Sequence, residues 1–272
     1  MDFSGKYFEL CVLIPCYNNI AGLKKSLESV KYDAGKFLIV VVDDGSKEII
    51  IEESISASHQ ALPVHIIRVE KNQGITIALN TGLHWIKTVV NCNFIARLDC
   101  GDICHPDRFY KQLNFLGGNP DIKLIGSWCY FNNQEKKITF SYKTPIEHKA
   151  IVRGLYFRNV FIHPTIIVRR VVLDKIGMYP DEFPHAEDYA WFWMIANEMN
   201  TAILPLFLVE CDFSISGISY ENRTRQLQSR MAIVKKFGHK FVFKQLAIIK
   251  IWVLMKVPYS IILKIKRLKS AK

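Results

Sequence analysis

Three short polar segments, each directly after an apolar β-branched run, carry residue types that bind polar ligands: Pro15-Cys16-Tyr17-Asn18, Asp43-Asp44-Gly45-Ser46 and Asp99-Cys100-Gly101-Asp102. Carboxylates in such places either shape a turn or hold a hard cation through oxygen. For one cluster alone both readings stay open; three such ends in one sheet favour a polar ligand. The sequence has neither G-x-G-x-x-G after its first apolar run nor G-x-x-x-x-G-K-[ST], so a dinucleotide fingerprint and a phosphate-cradling glycine loop are excluded. The charge of a phosphorylated ligand would be met by side chains and by a cation on Asp99 or Asp102. Cys100 is too soft a ligand for such a cation. A further acidic pair, Glu187-Asp188, opens a helical pattern, where two first-turn acids by themselves suit the helix dipole.

Periodicity predicts the elements that position these segments. Leu10–Ile14, Phe37–Val42, Val64–Val69 and Asn93–Leu98 read as buried strands. Ile20, Leu23, Leu27 and Val30 recur at helical spacing behind the capping candidates Asn18 and Asn19, and a second helix runs from about Ile75 to Val89. Strand–helix–strand order with crossovers of this length implies parallel pairing and an α/β sandwich, with ligands beyond the carboxyl ends of the strands. Pro106-Asp107-Arg108 starts another helix. Strands at Ile122–Phe131 and Thr165–Val168, a helix over Glu187–Met199 and a strand at Ala202–Val209 follow. Beyond Ser214 the pattern is helical, broken at Pro258.

Half of the 272 residues are apolar, enough for one or two cores, and the composition excludes disorder. The net charge is +11, all of it C-terminal: Lys235–Lys272 holds eleven Lys/Arg and no acid, leaving residues 1–234 neutral. That pattern disfavours a nucleic-acid-binding body. The 7 cysteines show no CxxC pair and read as reduced core thiols in a cytoplasmic protein. Met1–Lys6 does not read as a signal peptide, and no apolar run has transmembrane length.

The stretches VLIPCYNN (12–19), VVDDGS (41–46), NQGITIALNTGL (72–83), ARLDCGD (96–102), HPDRFYKQLNFL (105–116), HPTIIVRR (163–170) and AEDYAWFW (186–193) together resemble the family 2 glycosyltransferases of GT-A fold. They follow the family's order over roughly residues 8–215. The resemblance implies a mostly parallel nucleotide-binding sheet flanked by helices. It also implies inverting transfer of a sugar from a nucleotide-diphosphate donor to a hydroxyl, as in bacterial surface-polysaccharide synthesis. On it, Pro15 and Tyr17 lie against the base, Asp44 accepts from the imide N–H, and Asn72 and Gly74 open the helix bordering the nucleotide. Arg97, with Arg223 and Arg225 as further candidates, faces the diphosphate. Asp99 and Asp102 hold Mn²⁺ or Mg²⁺, with His163 at the metal or diphosphate. The family's D-x-D acid pair is broken here, because Gly101 replaces the second acid. Asp188 becomes the base that takes the acceptor's proton, with Glu187 orienting the acceptor or acting as base itself.

These expectations divide the chain into a catalytic unit, 1–215, and a helical basic segment, 216–272. Residues 241–269 mix apolar residues with lysines that do not share one helical face. Snorkelling lysine stems let such a segment lie on an anionic membrane; the alternatives are a helix packed on the body or a docking surface for another enzyme. The combined reading is a cytoplasmic-face transferase acting on a lipid-linked or saccharide acceptor. UDP-sugars lead as donors, followed by dTDP-rhamnose. Gly101 raises the alternative of a catalytically weak nucleotide-sugar-binding homologue, and the basic tail a lower-ranked one, a nucleic-acid-binding protein. A glycosidase would not need the strand-end motifs.

Overall fold

The computed structural model describes residues 3–33, 36–55, 63–133, 138–212 and 222–257. Strands β1 (Tyr7–Cys16), β2 (Phe37–Asp44), β3 (Val64–Val69) and β4 (Asn91–Arg97) form a parallel ladder in the order β3-β2-β1-β4. Helices α1 (Ile20–Ser29), α2 (Glu52–Ile55) and α3 (Ile75–Val89) fall between them. Every residue of β2 is buried, which is why the run reads as unbroken Val, Ile and Leu. Alternate β1 residues serve opposite cores: Cys11 and Leu13 join the one that includes α3, and Leu10, Val12 and Ile14 the one that includes α1. Asn19 caps α1, its side-chain oxygen accepting from Gly22 N at 2.9 Å. Registers Cys16↔Asp43, Asp44↔Val69 and Leu13↔Arg97 gather the polar strand ends on one edge.

The other half of the sheet departs from the parallel expectation. β8 (Ile167–Arg169) runs antiparallel to β4 and to β6 (Ile122–Asn133). β6 is parallel to β9 (Asn200–Asp212), with register shifts around Trp128 that bend the pair. β5 (Ile103–Cys104) and β7 (Ile138–Tyr142) add antiparallel edges on β9 and β6. The strand expected from Thr165 begins instead as a single 3₁₀ turn, His163–Thr165. Periodicity missed α2, β5, β7, α5 (His148–Leu155) and α6 (Val171–Lys175), all too short to show a period. α4 (Arg108–Gly118) begins just after Pro106.

α7 (Glu187–Glu198) buries Tyr189, Trp191, Phe192, Trp193 and Ile195, so it is apolar nearly all round and central. Two further helices, α8 (Arg223–Phe237) and α9 (Phe241–Lys256), place Leu227, Ile233, Val234, Ala247 and Ile251 in the same core. The described part of the basic segment is therefore packed on the body. Its break falls at residues 238–240, where a Cβ on Gly238 would sit 2.6 Å from Val234 O. Pro258, where the break was expected, lies outside the described residues.

Candidate active site

The ends of β1 and β2 are stitched together. Asn18, at φ 51°, donates its backbone N–H to Ser46 Oγ at 2.9 Å and accepts from Lys47 N at 2.8 Å. Tyr17, on the same turn after Pro15 and Cys16, is 49% exposed. Asp43 is fully buried, accepting from Ser46 N and from the guanidinium of Arg68, its register neighbour on β3. Arg68 carried no local sequence signal; the ladder alone makes it Asp43's partner. Asp44 accepts from Asn72 Nδ2 at 3.0 Å and from the backbone N–H of Gln73 and Gly74 at 2.9 Å each. Asp44 and Asn72 do meet, but through each other. Three of the roughly four acceptor positions of the carboxylate already hold the turn that starts α3. A Cβ on Gly45, at φ 72°, would come within 2.5 Å of Asn72 N, so only glycine lets the two turns touch.

The Asp99–Asp102 turn is held from α1. Buried Ser26 donates its hydroxyl to Asp102 O at 2.8 Å and accepts Gly101 N at 2.9 Å. Periodicity marks Ser26 only as one position on α1. The Asp99 side chain is 41% exposed and anchored by Arg97. Asp102, expected beside it at a cation, is buried and accepts Asp212 N at 2.8 Å, tying the turn to β9. Burial, then the nearby charge of Asp99, pushes its carboxyl well above the usual range. Cys100 lies 3.3 Å from Cys16 Sγ, and all seven cysteines are free thiols.

Arg97 and His163 also differ from expectation. Arg97 is only 2% exposed, donating to Leu13 O at 2.7 Å, Leu98 O at 3.0 Å and Asp99. It therefore lies beneath Asp99 rather than out at a diphosphate. His163 Nε2 meets the Tyr179 hydroxyl at 2.7 Å and Arg97 Nε at 3.4 Å, which occupies the lone pair a metal would need. Burial and the Arg97 charge hold its pKa well below the usual value, so the ring is neutral. Asn80 of α3 clamps Tyr179 through both backbone groups, at 2.8 and 3.0 Å. Among the described residues no three His, Cys, Asp or Glu side chains group to hold an ion. Of the three expected ligands only Asp99 offers an exposed carboxylate. Its hard oxygens suit Mg²⁺ or Mn²⁺, which bind through one or two carboxylates when phosphates and waters complete the octahedron. Arg223 is turned away, donating to Leu254 O of α9; Arg225, on α8, is exposed.

Glu187 and Asp188 open α7 just after His185, whose φ of 61° is uncommon for a non-glycine residue. α8 braces that turn: Gln226 Nε2 donates to His185 O at 3.2 Å and Ser229 Oγ to Pro184 O at 2.8 Å. Asp188 accepts from Asn159 Nδ2 at 2.8 Å and from Tyr189 N at 2.6 Å. Its carboxyl is pushed up to about 7, chiefly by burial and then by the charge of Glu187. Burial also raises Glu187, whose Oε2 has no partner among the described residues. The charge of Asp99 also raises both acids, after burial. A cavity of about 160 Å³ opens beside Asp188, lined also by Asn159, Gln226 and Arg230. A carboxylate with a pKa near 7, next to a cavity, can accept a proton from a weak nucleophile at neutral pH.

The Glycosyl transferase family 2 model matches residues 11–177, more than half of the chain, and the protein belongs to that family. A glycosyltransferase of Methanocaldococcus jannaschii is 29% identical over 192 residues, covering 69% of this chain and 64% of that protein. The amylovoran biosynthesis glycosyltransferase AmsE of Erwinia amylovora is 27% identical over 247 residues, 88% of each chain. The Escherichia coli UDP-Gal:alpha-D-GlcNAc-diphosphoundecaprenol beta-1,3-galactosyltransferase is 28% identical over 197 residues, covering 71% of this chain and 69% of that one. Among solved structures, S. aureus TarS 1–349 aligns with a TM-score of 0.64 at 18% identity, covering 90% of this chain and 71% of that one. The Pyrobaculum calidifontis mannosyltransferase PcManGT, in complex with GDP-Man and Mn²⁺, aligns at 0.61 and 15%, covering 100% and 84%. The fold is thus GT-A-like, with a mixed sheet flanked by helices and a helical C-terminal region.

Proposed function

We propose that this protein is an inverting glycosyltransferase that moves a sugar from a nucleotide-diphosphate donor to a hydroxyl of a lipid-linked or saccharide acceptor in surface-glycan synthesis. The observation that carries the reading is Asp188: a half-buried carboxylate pushed up to about 7, beside a cavity and within reach of the Asp99 charge. In this role the ionised Asp188 accepts the acceptor's hydroxyl proton as the new glycosidic bond forms. It acts on the sugar face opposite the departing diphosphate, which inverts the anomeric centre. Glu187 orients the acceptor. Pro15 and Tyr17 supply a surface for the base, and Asp44 contacts it through its remaining acceptor position while holding Asn72–Gly74.

Asp99 would hold a divalent cation, with Arg97 fixing its carboxylate from below. The cation, when bound, neutralises charge on the leaving diphosphate. PcManGT carries Mn²⁺, which supports this assignment. UDP-sugars are the favoured donors, supported by the UDP-Gal specificity in the E. coli relative's name and by the TarS complexes with UDP and UDP-GlcNAc. The amylovoran role of AmsE and the diphosphoundecaprenol-linked acceptor in the E. coli relative's name support polysaccharide synthesis on a lipid-linked acceptor; the proposed place of the reaction is the cytoplasmic face. Every proposed site residue falls within 1–215, the proposed catalytic unit, while α8 of the 216–272 segment braces the acid pair.

The test is a thermal-shift panel of nucleotides with and without Mn²⁺, followed by a transfer assay with the best binder's sugar conjugates. Stabilisation by a nucleoside diphosphate and transfer with inversion are expected. A protein that binds the nucleotide but neither transfers nor hydrolyses the donor would be the catalytically weak homologue that Gly101 suggests. No nucleotide response at all would overturn the reading.

A further inference from the structure

α9 has two apolar faces, and only one is covered. Ala247 and Ile251 face the core, and Phe243 packs its ring 5.7 Å from Tyr156 and 6.2 Å from Phe157. At 3.6 residues per turn, Phe241, Val242, Leu246, Ile249, Trp252 and Val253 fall within an arc of about 140° on the opposite side. All six are between 44% and 73% exposed. A surface helix ordinarily turns polar residues outward, and a contiguous exposed patch of large apolar side chains marks an interaction site. The same geometry explains why the sequence shows no amphipathic period here: the helix is apolar on its packed side and on its open side.

We infer that this outward face of α9 lies in the headgroup region of an anionic membrane, with the helix axis along the bilayer surface. Charge selects this occupant over a second copy of the chain. From Lys235 to Lys272 there are eleven basic residues and no acidic one, so two such faces would repel each other while an anionic surface attracts both. Lys250 is held against the body, its Nζ donating to Phe157 O at 3.2 Å, while on the helical wheel Lys244 flanks the apolar arc and Lys256 stands at its C-terminal end. Long lysine stems in such positions reach outward to headgroups, and Trp252 suits the same interface. α9 has 16 residues, about 24 Å of helix, less than the roughly 30 Å hydrocarbon core, and its other face is fixed to the protein. Among the described residues no helix is long and apolar enough to cross a membrane. The helix lies on the bilayer.

The placement deepens the proposed function, and its purpose rests on that reading. α9 packs on α8, tied through Arg223, and α8 contributes Gln226 and Arg230 to the cavity beside Asp188. The lipid surface would then sit one helix layer from the proposed base, where an acceptor carried on a membrane lipid arrives.

The full chain is tested by co-sedimentation with vesicles of phosphatidylcholine alone and of phosphatidylcholine with phosphatidylglycerol in equal parts. The wild type should bind the anionic vesicles at low salt, and less so as salt rises. Leu246→Glu/Ile249→Glu/Trp252→Glu should weaken binding at least tenfold, with an unchanged melting temperature and unchanged transfer to a short soluble acceptor. If the triple variant unfolds, Trp252→Glu alone still tests the face and should weaken binding severalfold. The inference is overturned if the wild type ignores anionic vesicles, if the folded variant binds as well as the wild type, or if the variant converts a soluble dimer to a monomer. Vesicle binding by a protein that transfers no sugar would leave the docking face standing and remove only the glycosyltransferase reading.

Discussion

Replacing Asp188 with Asn should abolish sugar transfer and at the same time make the protein more stable at alkaline pH. Burial and the adjacent Glu187 lift this carboxyl from an ordinary 3.8 to about 7. A folded-state pKa raised above the unfolded value means the native protein holds the proton more tightly. The group's contribution to stability is therefore complete below about pH 4 and is lost as pH rises through 7. Three pH units correspond to about 4 kcal/mol. Glu187 and Asp188 titrate as a pair, so removing one charge also relieves the other, and a gain of about 2–4 kcal/mol at pH 8 is expected. The neutral side chain fits the existing partners. Its Oδ1 keeps the bond from Tyr189 N, and a flipped Asn159 presents the carboxamide oxygen that now has no partner among the described residues. At about 2–4 °C per kcal/mol for a chain of this size, the melting temperature at pH 8 should rise by roughly 5–10 °C, and at pH 4 hardly at all. Transfer should fall by about 10²–10⁴-fold with donor affinity retained, and the wild-type rate should fall tenfold per pH unit below about 7. Calorimetry at the two pH values and a coupled nucleotide-release assay measure both effects. A variant that keeps more than about a tenth of the rate, or melts lower at pH 8, refutes the assignment and passes the role to Glu187.

Asp99→Asn keeps a hydrogen bond to Arg97 but removes the charge, and should eliminate any gain in nucleotide affinity from Mn²⁺ in isothermal titration. Gly101→Asp re-creates the acid pair in sequence only: at φ 107° an L-residue is strained by about 1–3 kcal/mol, so the variant should melt lower without binding Mn²⁺ more tightly, although its Cβ has room. Ser26→Ala leaves Gly101 N and the Asp102 carbonyl without their partner, which should destabilise by about 1–3 kcal/mol. It should also weaken the Mn²⁺-dependent part of donor binding, whereas a purely structural role would lower the melting point alone.

The chain order of β1, β2, β3, β4, α3 and α7 was legible because each is an apolar run long enough to be read from local composition. The placement of Asp44, Asp99 and Asp188 at element ends was legible for the same reason: local composition marks where a run stops. Short elements without a period, α2, β5, β7, α5 and α6, were not, and neither was the antiparallel half of the sheet, which depends on pairing between distant segments. What each polar group does was decided by tertiary structure alone. Register sets Arg68 against Asp43; the approach of the Asn72–Gly74 turn occupies Asp44; the end of β9 takes Asp102; and Tyr179, held by Asn80, takes the lone pair of His163. None of these partners lies within a few residues in sequence, and a hydrogen bond is directional and short, so spacing along the chain carries no information about it. α9 shows the same division. Its residues make it apolar on two faces, and only packing against Tyr156 and α8 determines which side is left open to meet something else.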